Sequence, residues 1–290
     1  MSTTLDTQVS PAEESRRLGY RIEPRRGRFF DLDLRELWDY RELLYFLTWR
    51  DLKVRYQQTL LGLSWAVIQP LVTMFVFTII FNRVGNIQPE YHVPYPLFVT
   101  AGLLPWFYFT GALSKVAGSI VSNSGLVSKI YFPRLLIPIA NAVVPVVDFL
   151  ASFLLLVGMF LWYGRTPHWH AVVFPFFLGM ALFTALGVGL WLAALNVRYR
   201  DVGYLVTFAT QIWLFLTPIA YGSSIVPQRF KWLVSINPLT GVCDGFRWSV
   251  LGRGEPHYSV YGISWGVAIL LTLTGLWYFR RTEREFADII

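Results

Sequence analysis

The sequence has few charged residues and a single cysteine. Charged side chains make up 15% of the 290 residues, whereas a soluble domain typically carries about 25%. So few charges cannot cover a water-facing surface on a chain of this length, which argues against an ordinary soluble protein. Hydrophobic residues account for 54% of the chain, so extensive disorder is excluded for most of it. Cys243 alone excludes an internal disulfide and a multi-cysteine metal site, and we expect it to be a small buried residue.

Lysine is also scarce. The chain has four, Lys53, Lys115, Lys129 and Lys231, and none of them follows a glycine. A nucleotide-binding P-loop needs a glycine directly before its lysine, because backbone N–H groups and the lysine together hold the phosphates. The chain is therefore not expected to bind ATP through such a loop.

Long apolar runs, in contrast, are abundant. A membrane helix needs about 20 mostly apolar residues, and six runs qualify. Because the runs are continuous, they predict an all-α integral membrane protein and not a barrel of alternating strands. Pro105 and Pro218 interrupt two runs, and the freed backbone groups need neighbouring helices or a water-lined cavity. The six predicted spans are residues 60–81, 95–113, 137–162, 172–195, 204–221 and 260–279.

Basic residues are distributed unequally along the chain. Residues 1–58 hold 11 of the 25 Lys and Arg, and with an inner N-terminus 19 lie on inner segments and six on outer ones. Since Lys and Arg in short loops favour the cytoplasmic side, both termini are predicted to be cytoplasmic. This bias and contact with anionic lipid account for the basic net charge, so nucleic acid is not an expected partner. No cleavable signal peptide is expected, because the first apolar run begins near residue 59.

Three segments outside the spans have distinct patterns. Residues 1–30 have few apolar positions and predict a mobile tail that precedes a membrane domain over 31–290. Residues 33–47 place apolar side chains on one helical face, which predicts an amphipathic helix that rests in the membrane interface or packs on a soluble partner. The outer region 222–256 is too broken to span, and short re-entrant or interfacial helices are predicted there.

Five sequence motifs follow one another along the chain. They are WRDLKVRYQQTLLGLSWAVIQP at 49–70, SNSGLVSKIYFPRLLIP at 122–138, LNVRYRDV at 195–202, LTPIAY and NPLTGVCDGFRW at 216–221 and 237–248, and FRRTEREFADII at 279–290. Together they resemble, over about residues 30–290, the type-2 ABC exporter permeases for O-antigen, capsule and teichoic acid.

The resemblance implies a transport subunit and not an enzyme. Such permeases form homodimers in the bacterial inner membrane, with six spans per protomer around one channel. Two copies of a separate cytoplasmic ATPase bind the ATP and Mg, so no cofactor is expected in this chain. The implied substrate is a polysaccharide on a lipid anchor with a diphosphate headgroup.

The headgroup and the sugar chain require different surfaces. Arginine and lysine at the inner interface suit a diphosphate, although the same residues also serve as ordinary membrane anchors. The headgroup candidates are Arg50, Lys53, Arg55, Lys129 and Arg134. A sliding sugar chain suits aromatic faces and neutral hydrogen-bonding groups, which the first and fifth spans carry at helical spacing; the same groups also join helices to one another. The channel-lining candidates are Trp65, Gln69, Thr73, Phe77, Thr207, Thr210, Gln211, Thr217 and Tyr221.

Asp148 is the one acidic residue deep in a predicted span. It either accepts hydrogen bonds at a dimer centre or pairs with an arginine near a helix end, and a proton relay is disfavoured because no second carboxylate lies at comparable depth. His168 and His170 supply only two of the ligands that a metal site needs, so no metal is predicted.

Two other functions remain open. A related type-2 permease would move drugs or small lipids instead of a polymer. A lipid-linked sugar transferase would need clustered carboxylates or a metal motif, and the inner loops offer only Asp51 and Asp201 near basic residues. A secondary transporter is disfavoured, because the repeated Val-Arg-Tyr at 54–56 and 197–199 is too short for an inverted repeat.

Overall fold

The computed structural model describes residues 34–57, 62–90, 93–129, 132–252 and 256–286. The predicted tail, residues 1–30, lies outside these ranges. Every regular element within them is helical, which confirms the all-α class. The helices are α1 (Leu34–Asp39), α2 (Arg41–Gln57), α3 (Ser64–Phe77), α4 (Tyr95–Ser122), α5 (Ser124–Val127), α6 (Leu136–Val143), α7 (Pro145–Trp162), α8 (Phe174–Arg198), α9 (Val202–Leu216), α10 (Lys231–Ile236), α11 (Pro238–Leu251) and α12 (Tyr258–Thr282).

Five helical segments of the described chain are long and apolar enough to cross a membrane. A π turn extends α3, and 3-10 turns precede α8 and follow α12. The segments are Ser64–Val84, Tyr95–Ser122, Leu136–Trp162, Trp169–Arg198 and Tyr258–Glu285. They correspond to five of the six predicted spans, so the multi-pass architecture holds.

The remaining predicted span, 204–221, is the fifth in chain order and contains a shorter helix. α9 has 15 residues and therefore rises by about 22 Å, less than the roughly 30 Å of a bilayer's hydrocarbon core. It ends because Pro218 has no N–H and forces the preceding residue out of helical geometry. Thr217 is accordingly extended, with φ −95° and ψ 134°.

Two predicted elements have different bounds in the structure. The helix predicted over 33–47 is divided after Asp39, and α2 continues to Gln57 because side chains of its added turns, Arg50 and Arg55, bond to neighbouring helices. The span predicted over 137–162 is divided at Val144. Pro145 cannot donate to the hydrogen-bond ladder of α6, and it starts α7 instead.

α4 is the central helix of the bundle. It contacts α3, α6, α7, α8, α9 and α11. Its apolar side chains are buried along most of its length, and Leu97, Phe98, Val99 and Ala101 are fully covered. An apolar helix surrounded on all sides is what a sequence without a polar face predicts.

α8 and α12 pack closely because two glycines face each other. A Cβ added at Gly275 would lie 2.1 Å from the carbonyl oxygen of Gly187, and one added at Gly187 would lie 2.6 Å from the backbone of Leu271. Small residues permit such backbone approach between membrane helices.

Replacing Gly275 by alanine is expected to destabilise the protein by about 1–3 kcal/mol, because the methyl group would meet backbone that cannot rotate away. Gly266→Ala in the same helix is the control, since nothing lies within 4 Å of its added Cβ. In detergent, the Gly275 variant should melt below the wild type and the Gly266 variant at or above it, because alanine favours helix. Equal melting temperatures of the two variants would contradict the close packing.

α3 and α9 lie at the periphery of the bundle. α3 contacts α4 and α7, whereas α9 contacts α4 and α8. Only Val202 and Val206 are buried along the whole of α9. Both helices therefore leave apolar surface uncovered, as expected of a surface that meets lipid or another chain.

Candidate functional site

α2 is fastened to α7 through one carboxylate. Nη2 of Arg55 lies 2.6 Å from Oδ2 of Asp148, and the Tyr56 hydroxyl donates a hydrogen bond to Oδ1 of the same side chain. Burial and this hydrogen bond raise the pKa of Tyr56 well above its usual range. Asp148 occupies the first turn of α7, where the helix dipole favours a negative charge. Of the two arrangements considered for Asp148, the structure contains the pairing with an arginine near a helix end.

α2 is also fastened to the end of α4. Nη2 of Arg50 donates to Oδ1 of Asn123 at 2.5 Å and lies 2.7 Å from Oδ1 of Asp51. The Asn123 amide in turn donates to the Ser119 carbonyl at 2.9 Å. We name the set that ties α2 to α4 and α7 the α2 clamp; it consists of Arg50, Asp51, Arg55, Tyr56, Asn123 and Asp148.

The remaining headgroup candidates are divided between bound and exposed side chains. Arg134 donates to the backbone carbonyl of Glu283, directly after α12. Lys53 and Lys129 are exposed, and neither forms a hydrogen bond or ion pair with another residue in the described ranges. The structure thus engages Arg50, Arg55 and Arg134 within the protein and leaves these two lysines available to an anion.

Lys115 lies elsewhere than the sequence predicts. The predicted span over 95–113 ends before Lys115, but α4 continues to Ser122 and carries Lys115 as a half-buried residue. The apolar run ends near residue 113, yet the helix continues because the neighbours of Lys115 are packed against other helices. Val116, Ala117 and Ile120 are buried.

The channel-lining candidates have three degrees of exposure. Trp65 is 56% exposed, and Gln69, Thr207 and Gln211 are exposed as well. Thr73, Thr210 and Tyr221 are half-buried, whereas Phe77 and Thr217 are buried inside the protomer. Phe77 packs against Phe81 with ring centroids 5.2 Å apart, and Thr217 accepts a hydrogen bond from Asn237 at 3.0 Å. Only the exposed and half-buried members offer a surface to a passing molecule.

The threonines of this set are satisfied within their own helices. Thr73 donates to the carbonyl of Gln69 at 2.9 Å, and Thr210 donates to that of Val206 at 2.9 Å. The amide side chains of Gln69 and Gln211 are the stronger hydrogen-bonding groups that remain at the surface, since each carries donors and an acceptor. They define what we call the amide stripe: Gln69 on α3 and Gln211 on α9.

A second network closes the opposite end of the bundle, around the break after α9. Nε1 of Trp213 donates to Oδ1 of Asn237 at 2.9 Å, and Nδ2 of Asn237 donates to Thr217. The Tyr95 hydroxyl donates to the carbonyl of Ala220 at 2.7 Å. Asn237 also caps α11 by accepting from the N–H of Leu239 at 3.1 Å. The end of α9 is thereby joined to α4 and to α11.

Sequence reasoning did not single out Asn237 or Arg247, although both lie in a quoted motif. Arg247 is fully buried on α11 and pairs with Asp244 three residues before it, at 3.5 Å. The available signal was this opposite-charge pair inside the apolar piece 242–251, because a charge in such a piece needs a partner.

His168 and His170 stack with ring centroids 4.4 Å apart, and no group of three or more metal-ligating side chains occurs in the described part of the chain.

Comparison with known families decides the identity of this architecture. The model of the family described as "ABC-2 type transporter" matches residues 42–251. The chain belongs to the ABC-2 type transporter family. The matched region begins in α2 and ends with α11, so it contains the α2 clamp, the amide stripe and the network around Asn237.

Several ABC-2 relatives cover most of the chain. It is 31% identical over 252 residues to the O-antigen export system permease protein RfbA of Klebsiella pneumoniae, covering 86% of this chain and 95% of that protein. It is 29% identical to the Myxococcus xanthus protein of the same name, covering 89% and 98%. The polysialic acid transport protein KpsM of Escherichia coli is 23% identical, over 78% of this chain and 86% of KpsM. The chain is thus a multi-pass membrane transport permease.

Proposed function

We propose that this chain is the permease subunit of an ATP-driven exporter that moves lipid-linked polysaccharide out of the cytoplasm. The observation that carries the proposal is the similarity, over 86% of the chain, to a permease named for O-antigen export. The exposed amides of Gln69 and Gln211 support it, because a neutral hydrogen-bonding surface suits sugar hydroxyls and lets a polymer slide without tight binding.

The channel is formed by two copies of the chain. α3 and α9 carry the amide stripe on surface that their own protomer leaves uncovered. A lipid-facing amide is costly, and polar groups in spans usually face another helix or a water-filled path. A second copy whose α3 and α9 oppose those of the first would remove both stripes from lipid. The residues that follow α9 complete its membrane crossing, so each protomer contributes six crossings.

The end of the bundle that carries α2 faces the cytoplasm, where most of the Lys and Arg residues lie. Trp38, Tyr45, Phe46 and Trp49 are exposed on α1 and α2. Such aromatic side chains suit the headgroup level, which supports an interfacial position of these two helices. Both termini then lie in the cytoplasm, and α10 and α11 form a re-entrant hairpin on the outer side.

Energy comes from two copies of a separate ATPase that bind ATP and Mg on the cytoplasmic side. The lack of a Gly-Lys pair in this chain is in keeping with that division. Because the α2 clamp ties α2 to α4 and α7, a force applied to α2 would reach two helices of the bundle. Among the headgroup candidates, the exposed Lys53 and Lys129 are the residues that a diphosphate can reach without breaking an existing contact.

The proposal is tested by ATP hydrolysis of the permease purified with its ATPase in nanodiscs. We expect hydrolysis to rise when lipid-linked glycans are added and to remain at its basal rate with hydrophobic drugs or with the bare lipid carrier. Stimulation by drugs or small lipids alone would support the related permease function instead. Sugar transfer without ATP would support the transferase.

A further inference from the structure

α9 is held mainly at its two ends. Within the helix, only Val202 and Val206, both near its start, are buried. Beyond its C-terminus, Thr217 to Ala220 are all buried. The position of Gln211, which lies between these two attachments, therefore depends on how firmly each end is fixed.

The C-terminal attachment contains backbone carbonyls that no helix satisfies. Pro218 ends the helical ladder, and in apolar surroundings each freed carbonyl needs another donor. The guanidinium of Arg247 supplies it: Nη1 donates to the Pro218 carbonyl at 2.7 Å, and Nη2 donates to the Ile219 carbonyl. A planar guanidinium offers several donors in a fixed fork, which an ammonium group does not.

The same guanidinium reaches α4. Nε of Arg247 donates to the Phe98 carbonyl at 3.3 Å, and the guanidinium carbon lies 4.0 Å from the centre of the Phe98 ring. Gly102 provides the space, since a Cβ there would lie 2.4 Å from Nη2. One fully buried side chain on α11 therefore contacts the broken end of α9, the outer half of α4 and, at 3.5 Å, the Asp244 carboxylate.

We propose that Arg247 is the positioning residue that anchors the outer end of α9, so that α9 and the α10–α11 hairpin move as one body when the channel opens. The inference rests on the proposed export function for its consequence, but not for the anchor itself. Loss of the anchor would free Pro218 to Ala220 and let the amide on Gln211 shift relative to the opposing protomer. Export would then become poorly coupled to ATP hydrolysis while assembly persists.

Hydrogen–deuterium exchange on the full-length permease in nanodiscs tests the anchor. Arg247→Met and Gly102→Ala should each raise amide exchange over 219–222 by about tenfold or more, because the segment opens more readily when its carbonyls lose the hydrogen bonds that the charged guanidinium donates. Gly118→Ala in the same helix is the matched control, since nothing lies within 4 Å of its added Cβ. In the Arg247→Met background, Gly102→Ala should add no further effect, because no guanidinium remains to be displaced. Unchanged exchange in a Gly102→Ala protein that purifies at wild-type yield would overturn the anchor.

Export and ATP hydrolysis measured together test the consequence. We expect polymer exported per ATP to fall about tenfold in Gly102→Ala, with ATPase binding unchanged, and to fall less in Arg247→Lys, which keeps the charge but loses the fork. Raised exchange with unchanged export per ATP would show that Arg247 stabilises the segment after α9 without affecting transport, and would overturn the proposal. If the wild type exports no lipid-linked glycan, the proposed function fails, and the exchange result still decides whether Arg247 anchors α9.

Discussion

Replacing Arg55 by glutamate is expected to reduce export about 30-fold. The new carboxylate would face Asp148, whose present partner lies 2.6 Å away, so an attraction becomes a repulsion. Breaking a buried pair costs about 3–5 kcal/mol. The Arg55 and Asp148 side chains are 36% and 19% exposed, so we expect about 2 kcal/mol after solvent screening, which corresponds to the stated factor. α2 would then detach from α7, and a force that the ATPase applies to α2 would no longer be transmitted to α7.

The matched control for Arg55→Glu is Gln57→Glu. Gln57 is exposed and ends α2, so the change adds one negative charge to the same end of the helix without breaking the pair. Export by this control should remain within about twofold of the wild type, since an isolated surface charge contributes little. The exchanged pair, Arg55→Glu with Asp148→Arg, should recover part of the loss. Full activity of Arg55→Glu would contradict the role of the α2 clamp. A loss of export in Gln57→Glu as large as that in Arg55→Glu would contradict it too.

The second large effect is expected at Gln211. Its exposed amide is a member of the amide stripe, and Gln211→Leu removes every hydrogen bond that it offers to a sugar hydroxyl. One such bond contributes about 1–1.5 kcal/mol, so export should fall about tenfold. Homodimer formation and ATPase binding, measured by size-exclusion chromatography of the purified complex, should be unchanged.

The control for Gln211→Leu is Ile212→Leu, an exposed neighbour on the same helix at which leucine keeps the apolar character. This control should export at the wild-type rate. Dissociation of the dimer in Gln211→Leu would show instead that the amide joins helices. Unchanged export with an intact dimer would place Gln211 away from the substrate path.

The sequence predicts the helices well where the cause is local. Apolar length locates five spans, and the proline at 218 marks the end of α9. Local patterns fail where packing extends a helix. α4 continues past Lys115 to Ser122, and α2 continues past the predicted end at 47, because the added turns are stabilised by neighbours.

The candidate site was predictable in its residue types and not in its pairings. Two complete spans and the start of a third separate Arg55 from Asp148 along the chain, and only the packing of α2 against α6 and the adjoining α7 brings them together. For the same reason the sequence offers Arg50, Arg55 and Arg134 as headgroup candidates without indicating that all three bond to other residues of the protein. Arg247 is the clearest example of a contact that the sequence does not reveal. Its guanidinium donates to three backbone carbonyls from two distant segments, which only the fold brings together.

The most direct measurement of the proposed function is polymer transport into inside-out membrane vesicles. Vesicles that contain the permease and its ATPase are supplied with lipid-linked polysaccharide on their outer surface, and the glycan that becomes protected from added glycosidase is measured. We expect protection of the full-length polymer that requires ATP and is lost when either protein is absent. ATP-dependent uptake of a drug or small lipid, with the polysaccharide left fully degradable, would contradict polysaccharide export.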